Sequence, residues 1–426
     1  MIVNLAYGKG TLPVDFPAGR TFVVEPRPRP GLADERSSFL AALDQPTAAE
    51  PLRRWIHPGN TVCISFSDIT RATPNDRIIP WLLEYLSFVP DENITLLNQI
   101  GTHRPNTPEE LERLLTPAVL KRFRVLNHEP ENPSILRQFG CMRDGTPALI
   151  NKRFADADVR ITTGFIEPHF FAGFSGGIKG IIPGVAGLES IMANHSATHI
   201  GHPNAAFGVT AGNPLWEELK EVALRIGPTF MINVALNDHR AITRVFAGDL
   251  IQAHAQGCEY VRESAMQPVP QLYDIVVTTN SGHPLDMNLY QGVKGMSAGA
   301  RILKPGGLLI LACECREGVP AGSPMDRLLR SAKSPEEVLA RVAAGGKPVP
   351  EQWQAQIQAL VQRRARVSVF SSLPDEVLAA CHLKPCRNIG EEVAQELDQL
   401  GESARVAVLP QGPLTAPYLE TKQATG

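Results

Sequence analysis

The chain has no surplus of charge of either sign. Its 41 Lys and Arg stand against 44 Asp and Glu, a formal net charge of −3, so it offers no general surface for nucleic acid or anionic lipid. It lacks any apolar run of the ~18 residues that read as a transmembrane helix. Its start, MIVNLAYGKG, has neither the basic segment nor the long apolar core of a secretory signal. Seven cysteines, an odd number at scattered positions, do not make a disulfide framework. Cys313 and Cys315 form a C-x-C within the apolar run GGLLILACEC and read as buried reduced thiols rather than metal ligands. A reducing cytoplasm is the expected compartment. Two signatures are also missing: the G-x-G-x-x-G of a dinucleotide fold and the H-E-x-x-H of a zinc metalloprotease. Internal repeats and low-complexity tracts are absent.

What the chain does have is length, 426 residues, and an ordinary composition of 43% hydrophobic and 20% charged residues. That suffices for two domains with sizeable cores. Strand signals at Thr61–Ser67, Asn93–Ile100, FRVLNHEP and Asp158–Thr163 alternate with helical stretches. One helix opens with Thr107-Pro108-Glu109-Glu110, a capping residue, a proline and a glutamate in capping order. This βαβ rhythm predicts an α/β protein with mostly parallel sheets. A proline-rich break at Gln267–Pro270 sets the expected boundary. Residues 1–267 are read as an amino-terminal α/β domain and 268–405 as a smaller Rossmann-like domain. Residues 406–426 are read as a tail returning to the first domain. The cleft between two such domains is the default site.

The densest stretch is TGFIEPHFFAGFSGGIKGIIPGVAG, from Thr163 to Gly187, with seven glycines from Gly164 onward. Ser175, Gly176 and Gly177 predict a turn that aims backbone N–H groups at an anion, a phosphate cradle. Lys179 follows in apolar company that favours a nucleophilic amine, and His169 lies ten residues earlier. Asp68 and Arg71, then His103 and Arg104, then His169 each follow the end of a predicted strand, the edge where open α/β sheets bind ligands. Singly, Asp68 could cap a helix, Arg71 sit on the surface and His103 anchor a turn; together they predict one cleft. LESIMANHSATHIGHP, from Leu188, predicts one helix with His195 and His199 on a shared face, the spacing of two ligands to one metal. Gln291 and Lys294, three residues apart, share a face near the amino end of another predicted helix.

In SDITRATP, GTHRP, EPHFFAGFSGGIKGIIPG, NHSATHIGHP and PLDMNLYQGVKGM, the sequence resembles the nickel-dependent lactate racemase family. The family uses a nickel-pincer nucleotide, pyridinium-3,5-bisthiocarboxylic acid mononucleotide nickel. The resemblance implies that Lys179 holds this cofactor covalently and that His195 completes the coordination of nickel. It implies that His103 and His169 are the acid–base pair, one on each face of the substrate carbon. Arg71, Gln291 and Lys294 match groups that bind the substrate's carboxylate and carbonyl oxygens. Asp68 matches an orienting acid, and Trp353 in EQWQAQ matches a site tryptophan.

The implied reaction inverts C2 of a 2-hydroxy acid by passing hydride to the cofactor and back, through a 2-keto acid. These residue types suit it. No side chain accepts hydride, so a cofactor must. Histidine titrates near neutral pH, arginine forks onto a carboxylate, and nickel takes imidazole beside sulfur. Enzymes that make the cofactor are implied partners. Phe165, Phe170, Leu285, Met287 and Tyr290 suggest a short aliphatic or aromatic substrate side chain, with Arg104 the one extra cation inside a motif. The alternatives are an NAD-dependent oxidoreductase, a zinc hydrolase using His195 and His199, and a non-enzymatic carrier of the nickel nucleotide. The first two lack their motifs, and a carrier has no use for paired acid–base histidines.

Overall fold

A computed structural model describes residues 1–27, 29–344 and 349–420. Among these residues the strands make two six-stranded sheets and four two-stranded ribbons. In chain order, the strands of the two large sheets begin with β1 (Thr21–Val23), β2 (Val62–Ser67), β3 (Ile94–Gln99) and β4 (Arg124–Asn127). They continue with β5 (Val159–Phe165), β6 (Phe230–Leu236), β7 (Ile242–Asp249) and β8 (Tyr273–Thr279). The last four are β9 (Leu303–Ala312), β10 (Arg366–Phe370), β11 (Lys384–Pro385) and β12 (Val406–Leu409). The chain divides into two compact units. Unit I holds residues 29–195 and 209–262; unit II holds residues 1–27, 196–208 and 263–420.

Unit I is built on the order β7-β6-β5-β2-β3-β4, parallel from β6 to β4, with β7 antiparallel at the edge. All six residues of β2 are buried, as expected of a parallel strand covered on both faces. Helix α1 (Asn75–Tyr85) turns Ile78, Ile79, Leu82 and Leu83 inward, where they join Ile64 and Phe66 of β2 in one core. Each such side chain contributes roughly 1.5–3 kcal/mol by leaving water. The capping box at Thr107 and Glu110 forms as its sequence predicts. The strand order reverses at β2: β3 and β4 lie on one side, β5 and β6 on the other. Such a switch point opens a crevice at the carboxyl ends of the strands.

Unit II has the order β11-β10-β9-β8-β12-β1, parallel throughout. The path is more interleaved than a block to 267 followed by a second from 268. An amino-terminal hairpin, Ile2–Tyr7 with Gly10–Asp15, shares a core with Ile275, Ile310 and Val406 through Val3, Leu5, Val14 and Phe16. The Gly8 N–H donates to the buried Asp286 Oδ2 at 2.7 Å. Residues 406–409 form an interior strand of this sheet, paired with β8 and β1, and Ala416–Leu419 pairs with Met266–Val269. The cause is non-local pairing, which leaves no mark in the local sequence.

The helix expected from Leu188 through His199 also differs. It breaks into α2 (Leu188–Asn194) and α3 (Ala197–Ile200), because Ser196 is extended and its Oγ accepts the His199 N–H at 3.4 Å. Helices α4 (Leu289–Ala300) and α5 (Gln352–Gln362) complete the elements that carry candidate residues. All seven cysteines are free thiols, and the Sγ atoms of Cys313 and Cys315 stand 3.4 Å apart. Among the described residues no helix is long and apolar enough to cross a membrane.

Candidate active site

Three neighbouring strands of unit I, in the order β5-β2-β3, deliver the candidate residues at their carboxyl ends. β2 delivers Asp68, whose residue is 1% exposed. Its Oδ2 lies 2.7 Å from His103 Nδ1, in the loop after β3, and its Oδ1 accepts the Thr70 hydroxyl at 2.8 Å. Burial alone would raise the Asp68 pKa. The hydrogen bond and charge of His103, the charge of Arg71 and the hydrogen bond of Thr70 outweigh it and hold the carboxyl below its usual range. An ionised Asp68 makes Nδ1 the protonated nitrogen of His103 and leaves the lone pair on Nε2. The loop is braced from behind: Asn75 Nδ2 donates to Ser67 O at 2.8 Å, and the Ile69 N–H donates to Asn106 Oδ1 at 3.2 Å. Asp68 therefore serves the imidazole and not a helix terminus.

The second corner is built around a residue the motif reading passed over. After β5, His169 enters a ribbon of Pro168–His169 with Gly173–Phe174. Its Nδ1 accepts the Ala172 N–H at 3.2 Å, with a longer contact of 3.5 Å from the Phe171 N–H. In the neutral ring the proton is then on Nε2. The Phe171 side chain, 4% exposed, is the hub. Its ring centre lies 4.5 Å from that of His169, 5.2 Å from that of His195 and 5.4 Å from Lys179 Nζ. Three predicted residues thus surround one aromatic ring. Gly173 makes the turn possible. It has φ +80°, and a Cβ there would stand 2.3 Å from Val209 O.

His195 caps the end of α2, and its Nδ1 faces Ile191 O at 3.1 Å. An imidazole that donates Nδ1–H to a carbonyl presents Nε2 as a metal ligand. His199 does not share its face: the break at Ser196 puts it on α3, and the chain passes there from unit I to unit II. The zinc hydrolase alternative, which needs both histidines on one helix face, loses that face. Among the described residues no group of three or more His, Cys, Asp or Glu stands together as a metal site. A metal that arrives with donors of its own needs only one ligand from the protein.

How donors are spent bears on the glycine loop and on Arg104. Ser175 N–H goes to Glu167 O and Ser175 Oγ to Phe165 O, both at 2.9 Å, and Gly177 N–H goes to Asn233 Oδ1 at 2.7 Å. A Cβ on Gly176 would stand 2.4 Å from Asn233 Oδ1, and one on Gly177 would stand 2.6 Å from the His254 ring. The Ser175, Gly176 and Gly177 loop is thus a closely packed turn leading into Lys179, with the Ser175 and Gly177 N–H groups engaged within the protein. Arg104, the extra cation, is held by both oxygens of Glu110 at 2.8 and 2.6 Å.

The remaining candidates belong to unit II. Gln291 and Lys294 are half-buried on α4, and Trp353 is buried on α5. Phe171, Thr70 and Asn233 are the site residues that sequence reading missed. Thr70 lay inside SDITRATP and Phe171 inside EPHFFAG, so both were within reach; Asn233 carried no signal.

The chain matches the family model for the lactate racemase N-terminal domain over residues 7–208 and that for the lactate racemase C-terminal domain over residues 269–414. The lactate racemase of Lactiplantibacillus plantarum is 35% identical over 382 residues, 89% of this chain and 90% of its own length. That of Thermoanaerobacterium thermosaccharolyticum is 32% identical over 418 residues, 96% of this chain and 97% of its own. The solved lactate racemase apoprotein from the latter organism superimposes with a TM-score of 0.91 at 31% identity, covering 98% of this chain and all (100%) of that one. A solved protein from Thermotoga maritima is similar in fold, with a TM-score of 0.68 at 18% identity over 90% of this chain and 98% of its own.

Proposed function

The chain belongs to the lactate racemase family and is a racemase, an isomerase; from that premise we propose that it inverts C2 of a small 2-hydroxy acid, lactate first among them. The observation that carries the mechanism is the 2.7 Å contact between Asp68 Oδ2 and His103 Nδ1. His103 Nε2 takes the hydroxyl proton of one enantiomer, and the buried carboxylate steadies the imidazolium that forms. His169 serves the opposite face and returns the proton as its imidazolium, a form in which Nδ1 is also protonated and its amide contacts are given up. Arg71 receives the carboxylate through its two-pronged fork. Gln291 and Lys294 enter as the groups that the resemblance assigns to the substrate oxygens, with Trp353 beside them.

The residues present also suit the nickel-pincer nucleotide. Lys179 offers an amine and His195 an imidazole Nε2, both beside the Phe171 ring. That cofactor, when bound, supplies the electrophilic carbon that borrows the substrate's hydride. The enzymes that make it are the partners this reading requires. A small monocarboxylate is favoured because Arg104 is already engaged by Glu110, so no spare cation within the motifs awaits a second carboxylate. A cofactor carrier would have no use for a buried carboxylate behind an imidazole. Seven free thiols fit a reducing cytoplasm.

The test uses protein co-expressed with the cofactor-making enzymes and enantiopure lactate, followed by circular dichroism. The signal is expected to decay to that of the racemate. Intact-protein mass is expected to show an adduct that Lys179→Ala lacks. Loaded protein that leaves lactate and every other 2-hydroxy acid optically pure would refute the proposal.

A further inference from the structure

We propose that Gln354 is a positioning residue for the first turn of α4, an inference that rests on the assignment of Gln291 and Lys294 to the substrate oxygens. Helix α5 is buried all round from Trp353 to Ala359, yet three of the residues in that stretch are glutamines: Gln354, Gln356 and Gln358. A buried amide is costly unless both its ends are bonded. Here each Nε2 donates to a backbone carbonyl of another element in unit II: Gln354 to Tyr290 O at 2.5 Å, Gln356 to Ala197 O at 2.8 Å and Gln358 to Cys381 O at 2.8 Å. The Oε1 of each is buried and accepts nothing from the described residues. Methionine would fill the same space without stranding an acceptor, so it is the donor that accounts for the residue type.

Gln354 grips a particular peptide unit. Tyr290 O belongs to the link between Tyr290 and Gln291, and in an α-helix the same carbonyl receives the N–H of Lys294. The bond therefore lands between the two side chains assigned to the substrate. The opposite side of α4 lies on β8 and β9 through glycines. A Cβ on Gly292 would come 3.1 Å from Cys313 Sγ, one on Gly295 would come 2.2 Å from Thr279 O, and one on Gly299 would come 2.7 Å from Leu309 Cδ1. The glycines permit this close approach, while Leu289, Val293 and Met296 of the same helix are buried. The amino-terminal cap, Asn288 Oδ1 to Gln291 N–H at 3.0 Å, is local and moves with the helix. The Leu289 N–H also donates to Gly318 O at 3.0 Å and holds the extreme amino end; the tie from α5 holds the next peptide, Tyr290–Gln291, beside the two assigned side chains.

Gln354→Met keeps the volume and removes the donor; Gln358→Met, on the same helix but bonded to Cys381 O, is the control. In the apoprotein, amides 291–294 of Gln354→Met should exchange with solvent ~10-fold faster than wild type, and those of Gln358→Met at the wild-type rate. In loaded enzyme, Gln354→Met should raise KM for lactate ~10-fold with kcat within ~2-fold, whereas Gln358→Met should leave both in place. Gln354→Glu, which keeps the length and lacks the donor at neutral pH, should repeat the KM effect and serves if the methionine variant folds poorly. Unchanged exchange in Gln354→Met overturns the tie. Faster exchange with unchanged KM, or an equal KM rise in Gln358→Met, overturns its role in positioning. If wild-type enzyme turns over no 2-hydroxy acid while Gln354→Met still loosens α4, the substrate assignment has failed and takes the positioning role with it.

Discussion

His103 and His169 follow β3 and β5, and β2, carrying Asp68, runs between those strands. The two imidazoles are held in opposite ways. Behind His103 stands a buried carboxylate at 2.7 Å from Nδ1, so the ring keeps its proton there and gains a counter-charge when Nε2 is protonated. Behind His169 stand backbone N–H groups of Ala172 and Phe171, so Nδ1 is an acceptor and Nε2 carries the proton. Charging His103 strengthens its hydrogen bond; charging His169 requires giving its amide contacts up. The comparison teaches that a pair chemically identical in sequence is set unequally by its surroundings. In the neutral rings, His103 presents a bare Nε2 and His169 an Nε2–H.

The strongest challenge to that contrast is removal of each ring in turn. His103→Ala should lower racemisation about 10⁴-fold and His169→Ala about 10²-fold, the two ends of the usual acid–base range. Lactate circular dichroism with loaded enzyme measures both, and equal losses would erase the asymmetry. Next, Asp68→Asn keeps the shape and destroys the charge. It should cost about 10³-fold in kcat with little change in KM; a loss under tenfold would show that the carboxylate only packs. Phe171→Ala should disturb the His169 corner alone. The cavity it leaves should cost about 3–5 kcal/mol in urea unfolding, and adduct formation at Lys179 should slow, while Asp68 and His103 keep their contact.

The smallest effect is that of pH on stability. Burial lowers the pKa of His254 and of His128, each partly offset by a bond to a backbone carbonyl. The unfolded chain then binds more protons than the folded one below the ordinary histidine pKa of about 6.5. Stability is accordingly expected to be full above that value and to fall as pH drops through it. Asp68, whose pKa is depressed, adds a contribution present above the ordinary carboxylate pKa and lost only in stronger acid, as pH falls through its folded value. Urea midpoints from neutral to acidic pH would record two successive declines. A flat profile across the histidine range would mean that these rings are not held neutral.

Much of the site was legible because strand ends are legible. TVCISFS followed by Asp68, Asn93–Ile100 followed by His103, and Asp158–Thr163 followed by His169 all fall where β2, β3 and β5 stop. The capping box at Thr107 was equally plain. The glycine loop is harder to read, because glycine reports only that the backbone comes close to something. Here that something includes Asn233 and His254, far along the chain. The broken helix carried a signal that went unused: Ser196, an ordinary amino-terminal cap, sits between the two histidines.

By itself, the sequence determined the alternation of strands and helices, the residue types at three strand ends, and a set of motifs dense enough to reveal the family. These are local matters, written in periodicity and in short-range spacing. Only the tertiary structure decided which histidine received a carboxylate and which received amides. It alone set Phe171 among three candidate side chains, engaged the Ser175 and Gly177 N–H groups of the glycine loop, and paired Thr21–Val23 with Val406–Val408. Those outcomes depend on partners brought together across long stretches of sequence. A residue cannot announce, from its own position, which distant group will satisfy its hydrogen bonds or cover its apolar face.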